Sequence, residues 1–314
     1  AGRRLIGMKH VVSVSIGSSE RNHSATVNLL GEEILVERIG TDGDINKAIG
    51  LIRELDGKVD AFGMGGIDLY MAGVGKRYVF RDARRISAAA QKTPLVDGTI
   101  LKSSLEYNAV KYAAEAEKLP IAGKNVFVAC VIDRIGMGRA FEELGCKMVY
   151  GDLMFSTGMH IPIYSLKTIY WLAPILMPIM TQLPFSWLYP TGKKQKVGGD
   201  GQGSEKPRFQ KHYNQADVIA GDFHYIYKYL PQQIDGKIVI TNTVTSRDVE
   251  DLGRRGANVL VTTTPEINGR SFGVNVIEAM MVALMEKPVE SSTDDDFLQM
   301  LLRLDVKPRV VKYK

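Results

Sequence analysis

The sequence predicts an α/β protein of two domains, and three observations carry that reading. Strand and helix signals alternate through residues 8–119, which is the pattern of a largely parallel sheet covered by helices. A strand–helix–strand unit, "GKNVFVACVIDRIGMGRAFEELGCKMVYGD", opens a second run of such signals at 123–152. The stretch "PIAGK" at 120–124 supplies a join between the two.

In the first domain, 8–119, "KHVVSVSIG" is a strand and "ATVNLLGEEILVERIG" holds one or two more around Gly31. "TDGD" makes a turn in which Asp44 caps the helix "INKAIGLIREL", whose apolar residues recur at helical spacing. "KVDAFGMGG" runs from a strand into a glycine-rich turn, and "FRDARRISAAAQ" reads as a helix. "TPLVDG" is a short strand and loop before a long helix, "SSLEYNAVKYAAEAEKL".

In the second domain, 120–290, "ADVIAGD", "KIVITNTV" and "ANVLVTTTPE" are short β-branched runs closed by polar turns, as buried parallel strands are. "SRDVEDLGRRG" and "FGVNVIEAMMVALMEK" are helices. Residues 291–314 add a helix, "DDDFLQMLLRL", with acids in its first turn, and a basic tail. The fold class is therefore α/β with a Rossmann-like doubly wound second domain, interrupted by an insertion at 153–215.

That insertion is unusual in composition. From Ile161 to Gly192 the only charge is Lys167, and Pro174, Pro178, Pro184 and Pro190 break the run, so it is not one straight membrane-spanning helix. Two short apolar helices or a hairpin are expected. So large an apolar surface needs a cover: a second copy of the chain (a homo-oligomer through 161–192), an apolar ligand under a lid, or a membrane or lipid surface. Between Lys193 and His212 six Lys or Arg stand against two acids among many glycines, the composition of a flexible basic segment.

Bulk composition narrows the class. Of 314 residues, 45% are apolar and 24% charged, values of a soluble globular protein. The net charge of +5 comes largely from local segments such as Arg303–Lys314, five bases against one acid, rather than from a basic face carrying aromatics. Nucleic acid is not an expected partner. The two cysteines, Cys130 and Cys146, suggest no disulfide framework and fit a reducing cytoplasm. Met8 reads as the natural start, with Ala1–Gly7 a leader or remnant. The five histidines show no ligand spacing, so no metal is expected.

Ligands of open α/β sheets bind at the carboxyl ends of the strands. A dinucleotide fingerprint puts glycines there, where the backbone meets a pyrophosphate at a helix N-terminus. Here Cys130, Ile132 and Ile135 occupy those positions, while Gly136 and Gly138 fall inside the helix and allow close packing instead. Asp133 is a natural N-cap whose carboxylate repels phosphate, and Arg134 offsets that charge if it turns inward. Asp152 ends the next strand about 20 residues on, where an acid binds the adenosine ribose; the alternative is a plain turn carboxylate. Asn242, Thr243, Thr263 and Thr264 end later strands and are candidates for the cofactor. The expected cofactor is NAD or NADP, with NAD favoured because Asp152 repels a 2′-phosphate.

Two stretches are candidates for a small-molecule substrate: Ser18, Ser19 and His23 in "SIGSSERNHS", and Asn268 with Arg270 in "TTTPEINGRSFG", where Arg270 can grip a carboxylate with two N–H groups.

The run "KRYVFRDARRISAAAQKTPLVDGTILKSSLE", then a long helix, "GKNVFVACV" and "ELG", resembles the join between the domains of shikimate and quinate dehydrogenases, in particular a bacterial quinate 5-dehydrogenase group. The resemblance implies an N-terminal substrate domain and a nicotinamide-dependent oxidoreductase acting on a hydroxylated cyclic carboxylic acid. It also implies a Lys–Asp acid–base pair, matched here by Lys76 and Asp97. Such a lysine acts as a base when burial or a cation lowers its pKa. The other class that fits is a non-catalytic or differently acting relative, whose apolar insertion builds an assembly or meets a membrane.

Overall fold

The computed structural model describes residues 8–73, 76–183, 208–242, 244–264, 266–267, 270–285, 288–304 and 307–313. It is mixed α/β throughout and divides into two compact units, each with its own largely parallel sheet.

The first unit comprises the described residues of Ala1–Leu101, Leu176–Gln195 and Glu266–Val306. Its sheet is built from β1 (Lys9–Ser15), β2 (His23–Leu29), β3 (Glu32–Gly40), β4 (Ala61–Gly65) and β7 (Leu95–Val96), in the order β2-β3-β1-β4-β7. Only β2 runs antiparallel to its neighbour. A hairpin, β5 (Tyr70–Gly73) and β6 (Lys76–Val79), precedes helix α2 (Arg81–Ser87). Helix α1 (Ile45–Leu55) starts at Asp44, whose carboxylate accepts from the Lys47 N–H, as the turn chemistry predicts.

A helix from late in the chain, α10 (Val274–Leu284), also lies against this sheet. It is apolar on nearly all sides and buried from Val276 to Ala283, the signature of an enclosed helix. Gly63 and Gly98 make the approach possible: a Cβ on either would come within 2.9 and 2.7 Å of Asn275 backbone atoms. Asn275 then donates to the Ser13 hydroxyl of β1 at 2.9 Å. The unit also contains α11 (Asp294–Arg303), whose N-terminus is closed by a reciprocal Thr293–Asp296 capping box.

The second unit comprises the described residues of Lys102–Ile175, Lys196–Pro265 and Lys307–Lys314. Its strands are β8 (Asn125–Val128), β9 (Lys147–Tyr150), β10 (Val218–Gly221), β11 (Ile238–Thr241), β12 (Val259–Thr262) and β15 (Arg309–Lys312). They lie in the order β15-β12-β11-β10-β8-β9, all parallel except β15 at the edge. Strands β10, β11 and β12 are buried at every residue, which is why they read as unbroken apolar runs. The order reverses at β8, whose neighbours are β9 on one side and β10 on the other. That reversal is the switch point of a doubly wound sheet.

Helices α3 (Thr99–Glu115), α4 (Ile135–Glu143), α5 (Asp152–Thr157), α7 (Gln210–Gln215), α8 (Phe223–Lys228) and α9 (Ser246–Arg254) connect and flank these strands. Gly136 of α4 faces α3, and a Cβ there would fall inside the Ser103 carbonyl. Gly138 meets Val131 and Leu166. Both glycines therefore serve packing, with α3, a loop and α6 as partners.

One 15-residue helix, α6 (Leu166–Met180), forms within the apolar stretch 161–192. It contains Pro174 and Pro178, where two short helices or a hairpin were expected. Its buried residues Leu166, Ile169, Ala173 and Met177 recur on one face and hold the helix despite the lost N–H donors. The opposite face exposes Trp171, Ile175 and Ile179 at 71%, 54% and 65%. Residues 184–207 lie outside the described residues. Among the described residues no helix is long and apolar enough to cross a membrane.

Candidate functional site

The carboxyl ends of β8, β10, β11 and β12 carry the second unit's polar residues, and an ion network joins them across the switch point. Arg134, not Asp133 as expected, stands at the N-cap of α4, 4% exposed and with no side-chain cap bond, because the Asp133 carboxylate turns to Lys102 instead. Its Nη1 donates to Glu106 of α3 and its Nη2 to Asp222 Oδ2 at 2.9 Å. Asp222 follows β10 and caps α8 by accepting from the His224 N–H at 2.9 Å. Asn242, after β11, donates to the same Asp222 oxygen at 2.7 Å and accepts from the Phe223 N–H at 3.0 Å. Asp133 binds Lys102 Nζ at 3.0 Å and lies 3.7 Å from Arg134 Nε.

Burying these charges together moves their proton affinities. Glu106, 1% exposed, is raised to about 7 by burial, which outweighs the pull of Arg134 and Lys102. Burial also raises Asp222, but Arg134, His224 and Lys102 overcome it and leave this carboxyl below its ordinary value. In the network, Glu106 Oε2, Asp133 Oδ1 and His224 Nδ1 are enclosed without a hydrogen-bond partner. Such atoms are uncommon in folded proteins and mark polar sites.

Asp152 stands at the first position of α5, after the strand, and its carboxylate turns inward. It accepts from the Val131 N–H at 3.0 Å, the Ile132 N–H at 2.9 Å and the Cys130 thiol at 3.4 Å. Burial raises Asp152 to about 6 and pushes the Cys130 thiol well up. These backbone N–H groups belong to the β8–α4 loop, where a dinucleotide's pyrophosphate would meet the helix N-terminus. As folded, the loop offers them to the Asp152 carboxylate, Cys130, Ile132 and Ile135 stand in place of glycines, and Asp133 adds negative charge. The residues present do not fit a pyrophosphate at this loop. Removing the Asp152 carboxylate leaves two amides short of an acceptor. Asp152→Ala should therefore lower unfolding stability by about 2–4 kcal/mol in urea titrations.

Other predicted residues lie apart from the network. Thr263 and Thr264 are buried after β12, and Thr264 O accepts from the Thr262 hydroxyl at 3.3 Å. Asp97, in the first unit, spends its carboxylate on the Leu69 N–H at 2.6 Å and on the Thr99 N–H and hydroxyl at 3.1 and 2.7 Å. Lys76 opens β6 opposite Gly73 and Arg270 opens β14 (Arg270–Ser271), with their side chains outside the described residues. Thr243 and Asn268 are likewise outside them. Ser18 accepts from the Glu20 N–H at 3.2 Å, Ser19 donates its N–H to Asp42 at 2.9 Å, and His23 is exposed with Nδ1 3.1 Å from the Arg21 carbonyl. Among the described residues no group of three or more His, Cys, Asp or Glu could hold a metal ion.

Sequence reasoning did not select Glu106, Lys102 or Asp222 as members of one network. Asp222 alone carried a signal, its place at a strand's carboxyl end. Glu106 looks like any helical acid until Gly136 brings α3 and α4 together.

Solved structures resembling this chain are distant. A hetero-hexameric glutamate dehydrogenase from Thermus thermophilus matches at 13% identity and TM-score 0.40, over 95% of this chain and 73% of its own. An NAD-dependent malic enzyme from Thermotoga maritima matches at 15% and 0.34, over 83% and 68%. A glucose-galactose binding protein from Geobacillus stearothermophilus matches at 11% and 0.41, over 98% of each chain. Likenesses this weak assign neither substrate nor cofactor. No curated protein matches the sequence. Two family models do: one described as Domain of unknown function (DUF8753) over residues 10–97, and one as Domain of unknown function (DUF8754) over residues 100–313. The second spans more than half of the chain, which therefore belongs to the DUF8754 family.

Proposed function

We propose that the carboxyl edge of the second unit's sheet binds a small hydroxyl-rich molecule. The observation that carries this reading is the ion network at the strand-order reversal, with its enclosed and unpartnered Asp133 Oδ1 and His224 Nδ1. Hydroxyls suit it because each can donate to a carboxylate and accept from an ammonium or imidazole N–H. Glu106, at about 7, holds or releases a proton near neutrality and so sets the net charge of the network. A titration series with quinate, shikimate, ribose and adenosine tests the reading. At least one should bind the wild type and bind Lys102→Met tenfold or more weakly. If none binds, or the variant binds equally well, the edge is not a polyol site.

A second reading makes the protein an NAD(P)-dependent oxidoreductase acting on a hydroxylated cyclic carboxylic acid of the quinate or shikimate type. The doubly wound sheet with a helix starting at the carboxyl end of its first strand favours it. It requires Asp152 to release the Val131 and Ile132 N–H groups to the cofactor, and Asp97 to exchange its loop contacts for substrate. We rank it below the first for that reason.

We also propose that a second copy of the chain covers α6. Trp171, Ile175 and Ile179 follow one another at four-residue spacing, with Tyr164 a further seven residues back and 65% exposed. The three helical residues form a stripe about 12 Å long at 1.5 Å per residue. Ile175→Glu should shift the elution of the full chain in size exclusion to the monomer position. Unchanged elution would assign this face to another partner.

A further inference from the structure

Arg38 presents a second charged position, in the first unit and apart from the network above. It stands on β3, opposite Ser13 of β1 and His23 of β2 in the sheet register. Its guanidinium reaches toward the carboxyl end of β1. There Nη1 donates to the Ser18 carbonyl at 3.1 Å and Nη2 to the Ser15 hydroxyl oxygen at 3.1 Å. Both acceptors are neutral.

Arginine is seldom drawn into a protein without an acid to meet it. Among the described residues no carboxylate is in ion-pair contact with Arg38. Asp42 acts on it from a distance and accepts the Ser19 N–H at 2.9 Å. Burial, and after it the Arg21 guanidinium, hold Arg38 below the ordinary arginine value, with Asp42 opposing. The local field is therefore positive and only partly compensated.

The surrounding backbone is shaped to keep this position. Gly40 ends β3, and a Cβ there would come 2.5 Å from the Ser18 carbonyl oxygen, so only glycine lets the 16–22 loop lie on the strand beside Arg38. Gly66 has φ +72°, and a Cβ would stand 3.0 Å from the Gly17 nitrogen. Ser15 is 3% exposed, and its oxygen accepts both from Arg38 and from the Gly17 N–H at 3.1 Å. With both lone pairs engaged, the Ser15 hydroxyl is left as a donor. Arg38 itself has five N–H donors, of which two are spent here.

We propose that Arg38, with the Ser15 hydroxyl, anchors the oxyanion of a small molecule, a carboxylate or a phosphate, at the carboxyl edge of the first unit's sheet. The strand order reverses around β1 in this sheet too, so the position is one where open α/β sheets receive ligands. A guanidinium's planar fork suits either oxyanion.

The experiment uses the full chain with 15N-labelled arginine. The Arg38 Nε resonance, assigned by its loss in Arg38→Lys, is followed during separate titrations with inorganic phosphate, quinate and quinate methyl ester. Affinities are measured in parallel for wild type, Arg38→Lys and Arg38→Met. The proposal expects phosphate or quinate to shift the Arg38 resonance and to bind Arg38→Met at least tenfold more weakly, with Arg38→Lys between. Quinate acting while its ester does not assigns a carboxylate site, and phosphate acting alone assigns a phosphate site. No shift with either anion overturns the proposal, as does a shift with unchanged affinity in Arg38→Met. The ester acting as strongly as quinate also overturns it. Should Arg38→Met fail to fold, the loss is read on Arg38→Lys, whose charge is kept but whose fork is not; affinity equal to wild type there overturns the proposal.

Discussion

Arg134→Met is expected to destabilise the second unit by about 3–5 kcal/mol, the cost of leaving buried acids without their cation. Arg134 is 4% exposed and holds Glu106, itself 1% exposed, together with Asp222 at 2.9 Å. Asp133 lies 3.7 Å from its Nε. Without the guanidinium three carboxylates share one enclosed region with Lys102 alone. The structure can relieve this by protonating Glu106, already raised to about 7 with the arginine present. The loss should therefore be smaller at pH 5.5 than at pH 8 in urea unfolding followed by circular dichroism. An equal loss at both pH values would mean that the network does not titrate as described.

The second large effect belongs to Glu278 of α10. It is 1% exposed and accepts from the Leu101 N–H at 3.0 Å, closing the start of α3 in the first unit. Burial, and then the Asp97 carboxylate, raise it from 4.5 to about 8. A carboxyl whose folded pKa lies above its unfolded one binds its proton more tightly when folded. Its contribution to stability is complete below pH 4.5 and is lost as pH rises through about 8. At about 1.4 kcal/mol per pKa unit this is on the order of 5 kcal/mol. Glu106, about 7, and Asp152, about 6, slope the same way over narrower windows, and Asp222, lowered, slopes the other way at acid pH. Wild-type stability should fall between pH 5 and pH 8. Glu278→Gln, which keeps an acceptor but no titrating proton, should lose about half of that fall, Glu106 and Asp152 supplying the rest. A variant with the wild-type slope would remove Glu278 as its source.

These two residues show where the sequence was legible and where it was not. Local chemistry was readable: Asp44 caps α1, and the β-branched runs at Val218, Ile238 and Val259 are the buried strands. Proline was a weaker guide, because burial of Leu166, Ile169, Ala173 and Met177 carries α6 through two prolines. Long-range packing was not readable. Chain order attaches α10 to the strands before it, yet Gly63 and Gly98 admit it to the first sheet, and only there does Glu278 become a buried acid. Asp152 and Asp97 were legible as positions, but the direction of a side chain depends on which donors the fold brings within reach. Arg38 gave no signal at all, since an arginine on a strand reads as surface charge until the Ser18 loop is laid over it by Gly40.

In the folded chain Asp152 fills the amides of the β8–α4 loop. Calorimetric titration of the full chain with NAD, NADH, NADP and NADPH, beside Asp152→Ala, tests this most directly. The predicted result is no micromolar binding of any of the four to the wild type. Micromolar binding that weakens tenfold or more in Asp152→Ala, about 1.4 kcal/mol, would contradict it and restore Asp152 as a ribose ligand in a working dinucleotide site.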